Sequence, residues 1–160
     1  AGELVAFVGS GSRYYREYFL AWAREAGYRV MLVKDRPPEW ESAYLEAWVQ
    51  ADLGSASSVE AALRSHPGFA ELKGVLTCCE EQVEVTAAVA AALGLPGISP
   101  GSGGCCRDKW LMRQRLGARG IPCPRVRGGG HLRAGGRVPA GHEARERHGQ
   151  LRRRQGGGRV

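Results

Sequence analysis

Three short clusters hold the residues whose types and spacing could do chemistry. Gly9-Ser10-Gly11 follows an apolar run and precedes a helical pattern, so its main-chain amides can face an anion at a helix N-terminus. A dinucleotide fingerprint asks for a third glycine at position 14, where Tyr14 stands, although Asp35 ends the second strand where a ribose-binding acid would sit. The cluster thus reads as a plain strand-to-helix turn, as a loop facing a small substrate, or as an NAD site. Thr77 to Glu80 lies at another strand end. There Glu80 or Glu81 can meet a substrate amine, or a phosphate-side group through Mg²⁺, or simply complement the dipole of the next helix. Lys109 opens a helix, a place where a cation is unfavourable unless an anion is near, and Arg113 follows one turn later on the same face. The pair is either a weak phosphate site or two solvated side chains.

Alternating strands and helices must position these clusters. Leu4–Val8 is a short buried strand, and the helical spacing of Tyr15, Phe19, Leu20, Ala23 and Ala26 predicts a helix over 14–26, stopped by Gly27. Tyr28–Val33 reads as a second strand, and Pro37-Pro38 breaks the chain. A short helix over 41–48, a strand over 49–53 and a helix through Leu63 capped by Ser57 or Ser58 follow. Val75–Thr77 is a strand, 81–93 an Ala-rich helix ended by Gly94, and 109–118 a helix that Asp108 can cap. Short links between alternating elements give an α/β fold with a parallel, Rossmann-like sheet of four or five strands and flanking helices.

Composition divides the chain. The formal net charge is +7, yet residues 1–124 hold thirteen basic and fourteen acidic side chains. Residues 125–160 hold ten Arg and ten Gly against Glu143 and Glu146, so the basic character belongs to them alone. With few large aliphatics, that tail is expected to stay disordered, and a membrane or nucleic-acid role can be argued only for it. The five cysteines, two of them adjacent pairs, contain no C-x-x-C spacing, so no disulfide framework and no metal site are expected. Reduced thiols, no run long enough to cross a membrane, and an opening strand in place of a signal peptide predict a cytoplasmic protein. Ala1 stands where an initiator Met would, so the start is expected to be processed or cut.

Leu93-Gly94-Leu95-Pro96-Gly97, Asp108-Lys109, Met112-Arg113 and Gly120-Ile121-Pro122-Cys123-Pro124 occur in one order. As an ordered set over residues 3–124 they resemble the ATP-grasp carboxylate–amine ligases. The resemblance implies a pre-ATP-grasp α/β domain over 1–100, a helix and linker over 101–124 leading into the ATP domain, and a separate tail over 125–160. It implies that Lys109 contacts ATP phosphates, with Arg113 beside it on the same face, and that Glu80 stands at the rim of the substrate cleft, while Gly9, Ser10, Gly11 and Thr77 are expected to bind substrate because they lie at the carboxyl ends of parallel strands. It implies a parent enzyme that uses ATP and Mg²⁺ to activate a carboxylate as an acyl phosphate, which an amine then displaces. Small-molecule carboxylates and amines are the implied partners, and a homo-oligomer is allowed.

The family's second ATP lysine, its adenine hinge and its acidic metal ligands have no counterpart in the sequence. Without them phosphoryl transfer lacks electrostatic stabilisation, so the chain is expected to be an inactive N-terminal fragment with no catalytic residue and no metal ligand of its own. Back-translation with arginine as CGN, read one nucleotide forward, offers a reason. Residues 136–145 then permit Ala-Gly-Phe-Pro-Leu-Val-Met-Lys-Pro-Ala, and no stop codon is possible in that frame from Val126 onward. The hidden peptide looks like the missing strand with its lysine, so the tail is expected to be a frameshift product. The alternatives are an NAD- or small-molecule-binding Rossmann-like module, and an Arg/Gly tail that binds nucleic acid non-specifically. The latter is weakened by the absence of aromatics to stack on bases.

Overall fold

The computed structural model describes residues 2–124. The disordered tail, its nucleic-acid reading and the frameshift peptide, all expected over 125–160, lie outside the described residues.

Four parallel strands form the sheet: β1 (Leu4–Val8), β2 (Arg29–Lys34), β3 (Ala47–Gln50) and β4 (Leu72–Leu76), in the spatial order β3-β2-β1-β4. Both faces are covered, so the central strands are apolar throughout and alternation only sorts residues between faces. Ala6, Val8, Met31 and Val33 point into one core with Val59, Leu63, Val75 and Val89. Phe7, Val30 and Leu32 point into the other with Leu20. The first core packs under α2 (Ala56–Ser65) and α3 (Val83–Leu93), the second under α1 (Arg13–Glu25).

From β1 the chain moves outward to β2 and β3, then returns past β1 to lay down β4 on the other side. The carboxyl ends of β1 and β4 therefore flank a topological switch point, where the connections leave in opposite directions and open a crevice. Opposite this edge, Arg29 at the start of β2 is bonded to Glu46 and Glu71. These two carboxylates raise its pKa and tie the amino ends of the strands together.

Several elements differ from the sequence expectation. Pro37-Pro38 and a tight return leave no room for an α-helix over 41–48; a 3₁₀ helix forms over Trp40–Tyr44, and β3 begins at Ala47. Ser55, not Ser57 or Ser58, caps α2 by accepting a bond from the Ser58 amide at 3.3 Å. The strand expected at 75–77 starts three residues earlier, at Leu72, and the helix expected from Glu81 begins as a 3₁₀ turn over Glu80–Gln82. Gly94, at φ +65°, ends α3 as the sequence indicates.

The main element missed is α4 (Pro100–Arg107). Its glycines argue against a helix, but Pro100 stands at its start and Ser99 caps it through the Ser102 amide at 3.2 Å. The glycines serve close packing instead: a Cβ at Gly103 would lie 3.0 Å from the Ala87 Cβ of α3. Then α5 (Lys109–Ala118) follows with Asp108 as its cap, accepting from the Trp110 and Leu111 amides at 2.8 and 3.0 Å.

Candidate functional site at the carboxyl edge of the sheet

The crevice is built from two loops. The first, Gly9 to Ser12, leaves β1 with Gly9 at φ +74° and Gly11 at φ +65°, conformations that side-chain-bearing residues rarely adopt. The Gly9 amide donates to the Val33 carbonyl at 2.9 Å, which holds the loop against β2. Ser12 precedes α1 but makes no side-chain cap, and the first turn of α1 carries no acidic residue. Arg16 approaches from that turn, its Cγ 3.2 Å from where a Gly11 Cβ would stand.

Beneath this loop lies a buried charge pair. Glu41 is fully buried and accepts from Lys34 Nζ at 2.6 Å, Ser10 Oγ at 2.5 Å and the Glu39 amide at 2.8 Å. Burial works against its charge, but the bonds from Lys34 and Ser10 prevail and hold its pKa down at about 2. A lysine closing an apolar strand needs such a partner, and the chain places Glu41 within reach through the 3₁₀ turn after Pro37-Pro38. Ser10 is thus committed inward, and the loop offers its backbone to the crevice.

The second loop, Thr77 to Glu80, leaves β4 beside the first. Phe7 pairs with Leu76, so Thr77 falls opposite Val8, and its hydroxyl donates to the Val8 carbonyl at 2.7 Å while accepting from the Cys79 amide at 3.0 Å. Cys79 packs under both glycines, its Sγ 3.6 and 3.3 Å from the Cβ positions of Gly9 and Gly11. A hydrogen bond from Cys78 lowers the Cys79 pKa to about 7, and the same bond pushes the Cys78 thiol up.

Gly9, Ser10, Gly11 and Thr77 therefore lie together at this edge of the sheet. Glu80 opens the 3₁₀ turn beyond them with a largely exposed side chain, and Arg107 of α4 reaches it at 3.2 Å. Lys109 is exposed at the first position of α5, and Arg113 is half-buried one turn on. Helix α5 packs on α4, and the Arg107–Glu80 pair ties α4 to the crevice loop. Lys34, Glu41, Arg16, Cys79 and Arg107 were not singled out from sequence; a lysine ending the apolar run Val30–Val33 is the one signal that pointed at a buried partner. Among the described residues, no group of three or more His, Cys, Asp or Glu side chains could hold a metal ion, and no helix is long and apolar enough to cross a membrane.

No protein-family model and no curated protein matches the chain. Solved structures do. An L-amino acid ligase from Bacillus licheniformis is 21% identical with a TM-score of 0.64, covering 77% of this chain and 32% of its own. Phosphoribosylglycinamide synthetase from Anaerococcus prevotii is 16% identical with a TM-score of 0.62, covering 75% of this chain and 30% of its own. N5-carboxyaminoimidazole ribonucleotide synthetase from Thermotoga maritima is 15% identical at a TM-score of 0.59, covering 77% and 32%. The chain thus spans about a third of the length of these structures. All three are ATP-grasp ligases, so the resemblance carried by the sequence recurs at the level of fold.

Proposed function

We propose that residues 2–124 form the substrate-side domain of an ATP-dependent carboxylate–amine ligase, with residues 101–124 leading toward its nucleotide-binding part. The observation that carries this reading is the shared fold: three ligases match at TM-scores of 0.59 to 0.64. The whole reaction is attributed to the parent enzyme and not to the described residues.

Each cluster has a role in that reading. Backbone amides of Ser10 and Gly11, the open N-terminus of α1 and Arg16 receive a substrate carboxylate. Glu80 receives the amine, which must displace Arg107 from it. Lys109 and Arg113 face nucleotide phosphates. The described residues offer Mg²⁺ no complete ligand set, so they do not fit a metal site, and the metal's share of the chemistry is assigned to none of them. All five cysteines are unpaired, which supports a reducing compartment such as the cytoplasm.

The coding DNA tests the reading first. A one-nucleotide shift near the Arg125 and Val126 codons should open a frame encoding a glycine-rich loop and acidic metal ligands. The protein with that frame restored should form ADP in the presence of a carboxylate and an amine, whereas the present chain should not. In the restored protein, Lys109→Ala should weaken nucleotide binding by roughly tenfold or more, the value of a charge-assisted phosphate contact. A restored protein that neither binds nor turns over ATP would sink the proposal.

A further inference from the structure

Beside the crevice lies a cavity of about 400 Å³, between β4, α3 and the segment 96–98. That is within the range of small-molecule sites, roughly 300–1,000 Å³. Val75, Leu76, Val83, Ala87 and Ile98 give it apolar walls, and Thr77 connects it to the loop after β4. Gly97 lets the 96–98 wall approach α3, since a Cβ there would stand 2.8 Å from the Ala90 Cβ.

One buried polar atom in the wall of this cavity is unexplained. Thr86 lines it, is only 8% exposed, and its Oγ1 has no hydrogen-bond partner among the described residues. A threonine inside a helix ordinarily turns its hydroxyl to solvent or back to the carbonyl four residues earlier. Thr86 does neither, and a buried hydroxyl without a partner is unfavourable unless something completes it. In addition, β4 is an edge strand bonded on one side to β1, so its other edge carries main-chain groups that no strand satisfies among the described residues.

We propose that this cavity binds the neutral, aliphatic end of a small-molecule substrate, an end that carries an amide or carbonyl group to bond Thr86. The walls select a branched aliphatic group. No charged side chain lines the cavity, so a carboxylate or ammonium group is excluded from it and stays at the crevice, next to Thr77. The proposal rests on the ligase reading only for the word substrate. Binding in the cavity needs no nucleotide, so its failure leaves that reading standing, and failure of ATP turnover leaves the cavity standing.

The test uses the full chain, isotope-labelled for NMR, and the uncharged probe 3-methylbutanamide. Its titration should shift the resonances of Val75, Val83, Thr86, Ala87 and Ile98. Thr86→Val keeps the shape and removes the hydroxyl, so it should weaken probe binding about tenfold while melting no lower than the parent. A merely structural threonine would give the opposite pattern, a lower melting temperature and unchanged probe affinity, and that result overturns the proposal. Ile98→Trp, at a half-exposed position on the rim, should abolish the shifts without touching the core. Probe shifts confined to other residues, or no shifts at all, would also overturn it.

Discussion

Behind β1 and β2 the carboxyl edge of the sheet is sealed, whereas behind β4 it is open. On the sealed side, Glu41 satisfies Lys34, Ser10 and the Glu39 backbone amide at once, and the Glu41, Lys34 and Ser10 side chains are all buried. On the open side, β4 has no outer strand and Thr86 Oγ1 no hydrogen-bond partner among the described residues, and Leu76 and Ile98 are partly exposed. The contrast separates two jobs. A rigid half fixes the glycine loop in its left-handed conformation, and a half with unfilled bonding capacity is left for a ligand.

The strongest way to break the contrast is to unseal the closed half. Glu41→Ala strands Lys34 in the interior and should cost roughly 3–5 kcal/mol in urea denaturation. Adding Lys34→Met should recover the part of that loss that comes from the stranded ammonium, but not the part from Ser10 and the Glu39 amide, which stay without their acceptor. Acid gives the same result without mutation. The folded-state pKa of Glu41 lies below its ordinary 4.5, at about 2. Its contribution is therefore complete above pH 4.5 and is lost as the pH falls through about 2. The parent should lose stability across that window, and Glu41→Gln should flatten the curve there.

A smaller effect tests the joint between the halves. Thr77→Val removes the bond to the Val8 carbonyl and leaves the Cys79 amide without its acceptor. The expected loss is about 1–2 kcal/mol, read as a shift of the urea midpoint. The smallest effect sharpens the contrast from the open side. Arg107→Ala deletes an exposed ion pair with Glu80 and should change stability by only about 0–1 kcal/mol. A large loss would mean that the open half is braced as firmly as the sealed one.

What the sequence disclosed follows from what is local. The turn glycines Gly9 and Gly11, the Gly94 stop and the Asp108 cap each act within a few residues, and each is where the pattern indicated. The four-stranded parallel sheet was legible because its apolar runs are short and separated by helical spacing. Tertiary contacts hid the rest. Helix α4 exists because Ala87 and Arg115 pack on glycines that local propensity counts against it. Glu41 reads as an ordinary surface acid until the fold brings Lys34 and Ser10 to it. Thr86 lies in an Ala-rich stretch whose sequence gives no hint that its hydroxyl goes unsatisfied.

The strand order also sets a sequence in time. Pairing β1 with β2 brings Leu4 to Arg29 across a single short crossover, whereas the bond from Thr77 to Val8 closes 69 residues. Longer closure costs more chain entropy and slows the contacts that depend on it. The sealed half should therefore assemble early, and the crevice only when β4 docks. The same strand, held along one edge, should be the first to detach. Backbone amides of β4 should then exchange with solvent faster than those of β1 and β2, and a ligand that fills the neighbouring cavity should slow them selectively.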